Sequence, residues 1–153
     1  MASYFWKFVV PSSVIDSQGH VNNVSYVQWM QDIAIMHTKA IEADRLSEES
    51  NTMWVARSQE IEYLRQVFLG DELNVETYIE DVQRATSVRR YVFTNTKTSK
   101  IVARGRTNWV CLDKETGRPR SIPNEILTVF GFHSEPKKQS NELPAFGFEK
   151  SDS

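Results

Sequence analysis

The chain has 153 residues, the size of one domain that buries roughly two-thirds of its unfolded surface. Charged residues make up 25% and hydrophobic residues 40%, with 6 Gly and 5 Pro, which excludes collagen-like, low-complexity and wholly disordered chains. A net charge of −2 lacks the basic excess that nucleic-acid binding needs, and one cysteine with three scattered histidines gives neither an internal disulfide nor a metal-ligand spacing, so a cytosolic setting with no metal and no cofactor is predicted.

The apolar stretch Tyr4–Val10 is interrupted by Lys7 and stopped by Pro11. It reads as a first strand, too short for a signal h-region and without a basic segment before it. No segment nears the ~18 uninterrupted apolar residues of a membrane span. The expectation is a soluble, unexported, cytoplasmic chain with no membrane partner.

No Gly or Pro falls between Gly19 and Gly70, and in the first half of that span Tyr26, Trp29, Met30, Ile33, Met36, Ala40 and Ile41 recur at spacings of three and four. One amphipathic helix is predicted. It opens at Asn22 or Asn23, both good N-caps, and ends near Arg45, where Leu46–Asn51 turns polar. The period then changes to two: Val55, Ile61 and Tyr63 alternate with Ala56, Glu60 and Glu62, and after Leu69-Gly70-Asp71 a second strand runs through Leu73, Val75, Thr77 and Ile79. A third is predicted over about 87–97 and a fourth over about 101–113, with Thr98-Ser99-Lys100 as the hairpin between them. In the fourth, Ala103, Gly105, Thr107, Trp109 and Cys111 form the inward set, and Gly105 predicts close approach by the long helix. Lys114–Pro119 is a turn, and Pro123 opens a short helix over 124–132. A single domain over 1–133 is followed by a polar tail, 134–153, which reads as flexible although Phe146 and Phe148 could dock on a neighbour. A strand, a long helix and four antiparallel strands make an α+β layer arrangement.

Chemistry concentrates in Asp16-Ser17-Gln18-Gly19-His20-Val21-Asn22-Asn23. Backbone N–H groups at a helix start can hold a developing oxyanion, and Asp16 beside them can serve as base or nucleophile, which suits acyl transfer. The same residues also make an ordinary Asx turn and helix cap.

With this element order, Asp16-x-x-Gly19-His20-Val21-Asn22-Asn23-x-x-Tyr26-x-x-Trp29, Glu60–Arg65 through Gly70-Asp71-Glu72-Leu73, and Thr107-x-Trp109-Val110 with Gly117-Arg118-Pro119 resemble the hotdog-fold acyl thioesterases of the 4-hydroxybenzoyl-CoA thioesterase class. Gly-His-Val-Asn-Asn followed by Tyr and Trp looks like the acyl-carrier-protein and fatty-acyl branch. The resemblance implies a sheet wrapped round the long helix, a homodimer or homotetramer paired edge to edge, and a site at the protomer interface. It implies an acyl-thioester hydrolase of fatty acid metabolism, acting on acyl-CoA or acyl-ACP, with Asp16 as catalytic carboxylate and the Asn23 amide polarising the carbonyl. A thiol of pKa ≈ 8.5 leaves without a strong general acid, so a sparse site suffices.

His20 either orients Asp16 and the thioester or is a polar loop residue. Gly19, Asn22, Tyr26 and Trp29 are the candidate substrate contacts, with Asn22 also a cap and Trp29 also core. Arg89 and Arg90 are candidates for the phosphates of coenzyme A, but neighbouring strand residues point to opposite faces, so one of them at most can serve, and a surface role is the alternative for each. Glu60 and Glu62 read as a solvated face, and Cys111 as inert packing. Two other functions stay open: an acyl-thioester-binding hotdog module without turnover, and a hotdog hydratase or dehydratase, whose longer Asp-to-His spacing and proline are missing.

Overall fold

A computed structural model describes residues 2–132; the 134–153 tail lies outside the described residues, as do His133, Phe146 and Phe148. The elements run β1 (Tyr4–Val9), α1 (Asn23–Ala40), α2 (Ala43–Glu49), β2 (Thr52–Tyr63), β3 (Glu72–Val82), β4 (Thr86–Asn95), β5 (Lys100–Asp113) and α3 (Asn124–Val129). The strands form one five-stranded antiparallel sheet in the order β1-β3-β4-β5-β2, and α1 packs on its inner face. β3, β4 and β5 follow one another in sequence and in the sheet, joined by short turns. β2 reaches the far edge and, among the described residues, bonds to β5 alone, so its outer edge has no strand partner there.

Cross-strand register explains which residues meet α1. Residues directly opposite each other share a face, so Thr77, Tyr91, Gly105 and Ile61 form one inward row, and Ile79, Arg89, Thr107 and Gln59 the next. Gly105 lies where α1 crosses closest: a Cβ there would stand 2.7 Å from the Met30 sulfur. That matches the close approach read from the strand glycine. The core forms two clusters, one joining Tyr26, Trp29, Met30 and Ile33 of α1 to β3, β4 and β5, the other gathering Ile79, Val82, Cys111 and α3.

Two elements depart from expectation. The long helix stops at Ala40 rather than near Arg45, because Glu42 adopts the left-handed region (φ 60°), and Ala43 then starts a separate helix that runs to Glu49, into the segment whose polar composition marks the expected helix end. Ala43 is buried and Leu46 packs on the second cluster, so tertiary contact outweighs the polar composition of that segment. In β2 the register shifts between Ala56 and Ser58, a bulge centred on Arg57. The extra residue reverses the alternation. Val55 therefore pairs with Val110 while Ile61 pairs with Gly105, and the two do not share a face as a strict period of two predicts.

Candidate active site

The segment before α1 folds as a tight loop closed by its own polar groups. Asp16 Oδ1 accepts the N–H groups of Gln18 at 2.9 Å and His20 at 3.0 Å, while Gly19 takes a positive φ of 83° that suits a residue without a Cβ. The backbones of Asp16 and His20 bond at 2.8 Å, and Asn22 N–H donates to the Val14 carbonyl at 2.8 Å, so the loop is fixed at both ends. Asn22 is the N-cap of α1, its side-chain oxygen accepting from Val24 N–H at 2.8 Å. Ser25 N–H donates to the Asn22 carbonyl, which leaves the Asn23 N–H without an acceptor among the described residues. An open amide at the positive end of an 18-residue helix can receive an oxyanion.

Asp16 is exposed, and the backbone donors of His20 and then Gln18 hold its carboxyl below the usual carboxylate range. It is ionised at neutral pH. His20 meets Asp16 through its backbone rather than its imidazole; the ring packs edge-on against Phe68, centroids 5.5 Å apart. Phe68, bridged to His20, is exposed together with its neighbour Leu69 and with Val24 at the helix start, which gives the polar turn an apolar border.

Other sequence-derived candidates lie elsewhere. Tyr26 and Trp29 are buried in an aromatic cluster with Phe8, Tyr63 and Phe93, which for Trp29 is the core position also read from the sequence. Arg90 is on the outer sheet face, 2.9 Å from Glu80. Arg89 is a correction to the surface role: it points inward and is 3% exposed. Its Nη1 bonds to His37 Nδ1 and to Thr77 Oγ1, each at 3.0 Å, and its guanidinium lies over the Phe130 ring. Burial pulls Arg89 down to about 10 and His37 down to about 4, so at neutral pH the first is a cation and the second a neutral imidazole. Arg89 also lines a cavity of about 720 Å³ between α1, α2, α3 and the sheet. His37 and Thr77 escaped the sequence-based list, yet both are polar residues at inward positions of apolar series, which is the signal that finds them. Among the described residues no cluster of His, Cys, Asp and Glu could hold a metal ion.

One long helix on an antiparallel sheet, with a carboxylate turn feeding its N-terminus, is the hotdog arrangement of acyl thioesterases. The chain belongs to the thioesterase-like superfamily, which matches residues 9–130. It is 30% identical over 123 residues to the uncharacterized protein YsmA of Bacillus subtilis (strain 168), covering 80% of this chain and 82% of YsmA. It is 20% identical over 131 residues to the chloroplastic oleoyl-acyl carrier protein thioesterase 1 of Arabidopsis thaliana, covering 81% of this chain but 36% of that enzyme. Slr0204, a 1,4-dihydroxy-2-naphthoyl-CoA thioesterase from Synechocystis, superposes with a TM-score of 0.76 at 14% identity, covering 84% of this chain and 96% of that one. The superfamily's chemistry is acyl-thioester hydrolysis. No helix of the described residues is long and apolar enough to cross a membrane.

Proposed function

We propose that the chain hydrolyses a fatty-acyl thioester carried by coenzyme A or an acyl carrier protein, with Asp16 acting on the thioester and the Asn23 N–H receiving the carbonyl oxygen. The observation that carries this reading is an ionised, exposed carboxylate in the turn that leads into a helix start whose first amide has no acceptor among the described residues. The helix amide and the N-terminal dipole stabilise the oxyanion as it forms. Asp16 either attacks the acyl carbon or takes the proton of an attacking water, and the thiolate leaves without a dedicated acid. His20 shapes the Asp16 turn through its backbone and offers its ring to the substrate border with Phe68.

The free edge of β2 and the exposed Val24, Leu64, Phe68 and Leu69 support a dimer paired along β2, which would place a partner beside each Asp16 turn. Curated relatives that act on acyl-carrier-protein thioesters and a structural neighbour that acts on a CoA thioester support both carriers as candidates. The test is release of free thiol by the purified protein across acyl-CoA and acyl-ACP panels of increasing chain length. Turnover of at least one panel member is expected. No thiol from any of them overturns the reading. Light scattering should give at least twice 17.7 kDa, and a stable single-chain species at micromolar concentration would remove the shared site.

A further inference from the structure

Among the described residues Arg89 is a buried cation without an anion. None of the ion pairs among the described residues involves it, and its two hydrogen-bond partners, His37 and Thr77, are both neutral. A guanidinium carries five N–H donors. The two on Nη1 are used, one by the His37 ring and one by the Thr77 hydroxyl, so among the described residues the side carrying Nε and Nη2 has no acceptor. That side is the fork a carboxylate engages through two parallel bonds. An uncompensated charge in a protein interior is expensive, so a bound anion beside Arg89 would offset that cost.

The space in front of Arg89 fits a chain-like ligand. The cavity is about 720 Å³, within the ordinary range for small-molecule sites. Its walls are mainly apolar and include Ile79, Val82, Ile126, Leu127 and Phe130, the last of which lies under the Arg89 guanidinium. Asp44, Glu48 and Lys114 also line the cavity, all three exposed, where water screens them. The nearest α1 residue of the cavity, Gln31, is eight positions past Asn23, about 12 Å along the helix. A mainly apolar cavity whose lining includes one buried arginine is complementary to an aliphatic chain ending in one negative charge.

We propose that this cavity binds an aliphatic chain terminated by a carboxylate, with Arg89 receiving the carboxylate through Nε and Nη2 while His37 and Thr77 hold Nη1. The ligand is either a free fatty acid or the far end of an ω-carboxyacyl thioester. Only the second source rests on the hydrolase reading above, and binding can be measured without turnover.

The test is calorimetric titration of the full chain with decanoate and with decanol, which share the alkyl chain and differ in the charge. Decanoate should bind at least ~10-fold more tightly, the scale of a charged hydrogen bond. Arg89→Met should bring decanoate to the level of decanol, and Arg89→Lys should keep part of the difference, since it retains charge without the fork. Replacing an unpaired buried charge by an apolar side chain should not unfold the protein, and Arg89→Lys gives a second readout if it does. Equal binding of acid and alcohol to the unaltered protein overturns the proposal, as does undiminished decanoate binding by Arg89→Met. The source is separated by thiol release from an ω-carboxyacyl-CoA and the plain acyl-CoA of equal length. A higher kcat/KM for the carboxylated substrate, lost in Arg89→Met, assigns the site to substrate. A preference for the plain one, with decanoate still bound through Arg89, assigns it to free fatty acid. No release from either counts against hydrolysis and leaves the titration to decide the site.

Discussion

At the N-terminal end of α1 the polar side chains are exposed and bond to backbone groups at most four positions away, Asp16 to Gln18 and His20, Asn22 to Val24. Toward its C-terminal end, His37, Thr77 and Arg89 are buried, come from three separate elements, and the bond from Arg89 to His37 closes 52 positions of chain. The first arrangement is backbone geometry with little core behind it. The second is part of the core. Chemistry should therefore be removable at one end without loss of stability, whereas at the other end polarity and stability are tied together.

The largest expected effect tests the exposed end. Asp16→Asn keeps an oxygen to accept from Gln18 and His20, so the turn and the denaturation midpoint should stay near those of the unaltered protein. Turnover should fall at least ~100-fold, because the amide is neither base nor nucleophile. Thiol-release kinetics beside a urea titration measure both. Activity within a few-fold of the unaltered protein would take Asp16 out of the mechanism.

Gly105→Leu sharpens the contrast from beneath the helix. Any side chain there meets the buried Met30 sulfur and, at 3.4 Å, the Tyr91 ring, and overpacking of this kind costs about 1–3 kcal/mol. Gly105 is not part of the cavity wall, so acyl-chain preference should be unchanged in the protein that remains folded. A shift in chain-length profile at full stability would place the acyl chain between α1 and β5 instead.

The two ends also differed in how far the sequence disclosed them. Residues 16–23 are contiguous, so a carboxylate, a glycine and two caps in order were enough to draw the turn and the helix start. Gly105 was legible because alternation along one strand is a local property. Arg89 was not, since alternation shows that one of Arg89 and Arg90 faces inward, but which one depends on the register of β4 against β3 and β5. The break at Glu42 and the bulge at Arg57 were hidden for a related reason: neither has a glycine or proline to announce it, and both follow from how α2 and β2 pack on the rest.

A pH titration probes the buried end. Free histidine titrates near 6.5 and buried His37 near 4, so between these values the unfolded chain binds more protons than the folded one. Stability then rises with pH across that window and is lost as pH falls through it, by about 2 kcal/mol between pH 7 and pH 5. Urea denaturation at pH 7, 6 and 5 should show the loss. His37→Gln, which still offers Arg89 an acceptor, should flatten that part of the profile. Parallel profiles for the two proteins would mean that His37 is not the proton-linked group.

The smallest effect belongs to the arginine next in sequence. Arg90 lies on the outer face, its side chain 30% exposed and 2.9 Å from a Glu80 side chain that is 40% exposed, and exposed ion pairs contribute about 0–1 kcal/mol. It also stands directly across from Arg106, and like charges so placed repel. Arg106 is drawn the other way, to Glu60 at 3.2 Å. Arg90→Gln removes one attraction and one repulsion together, so the urea midpoint should move by no more than about 0.5 kcal/mol, and decanoate binding should not change at all. Adjacent arginines would then differ only in the face they present, Arg89 acting on a ligand and Arg90 on solvent. A loss of decanoate binding in Arg90→Gln equal to that in Arg89→Met would dissolve this distinction, because it would trace the affinity to the net charge of β4 and not to the inward guanidinium.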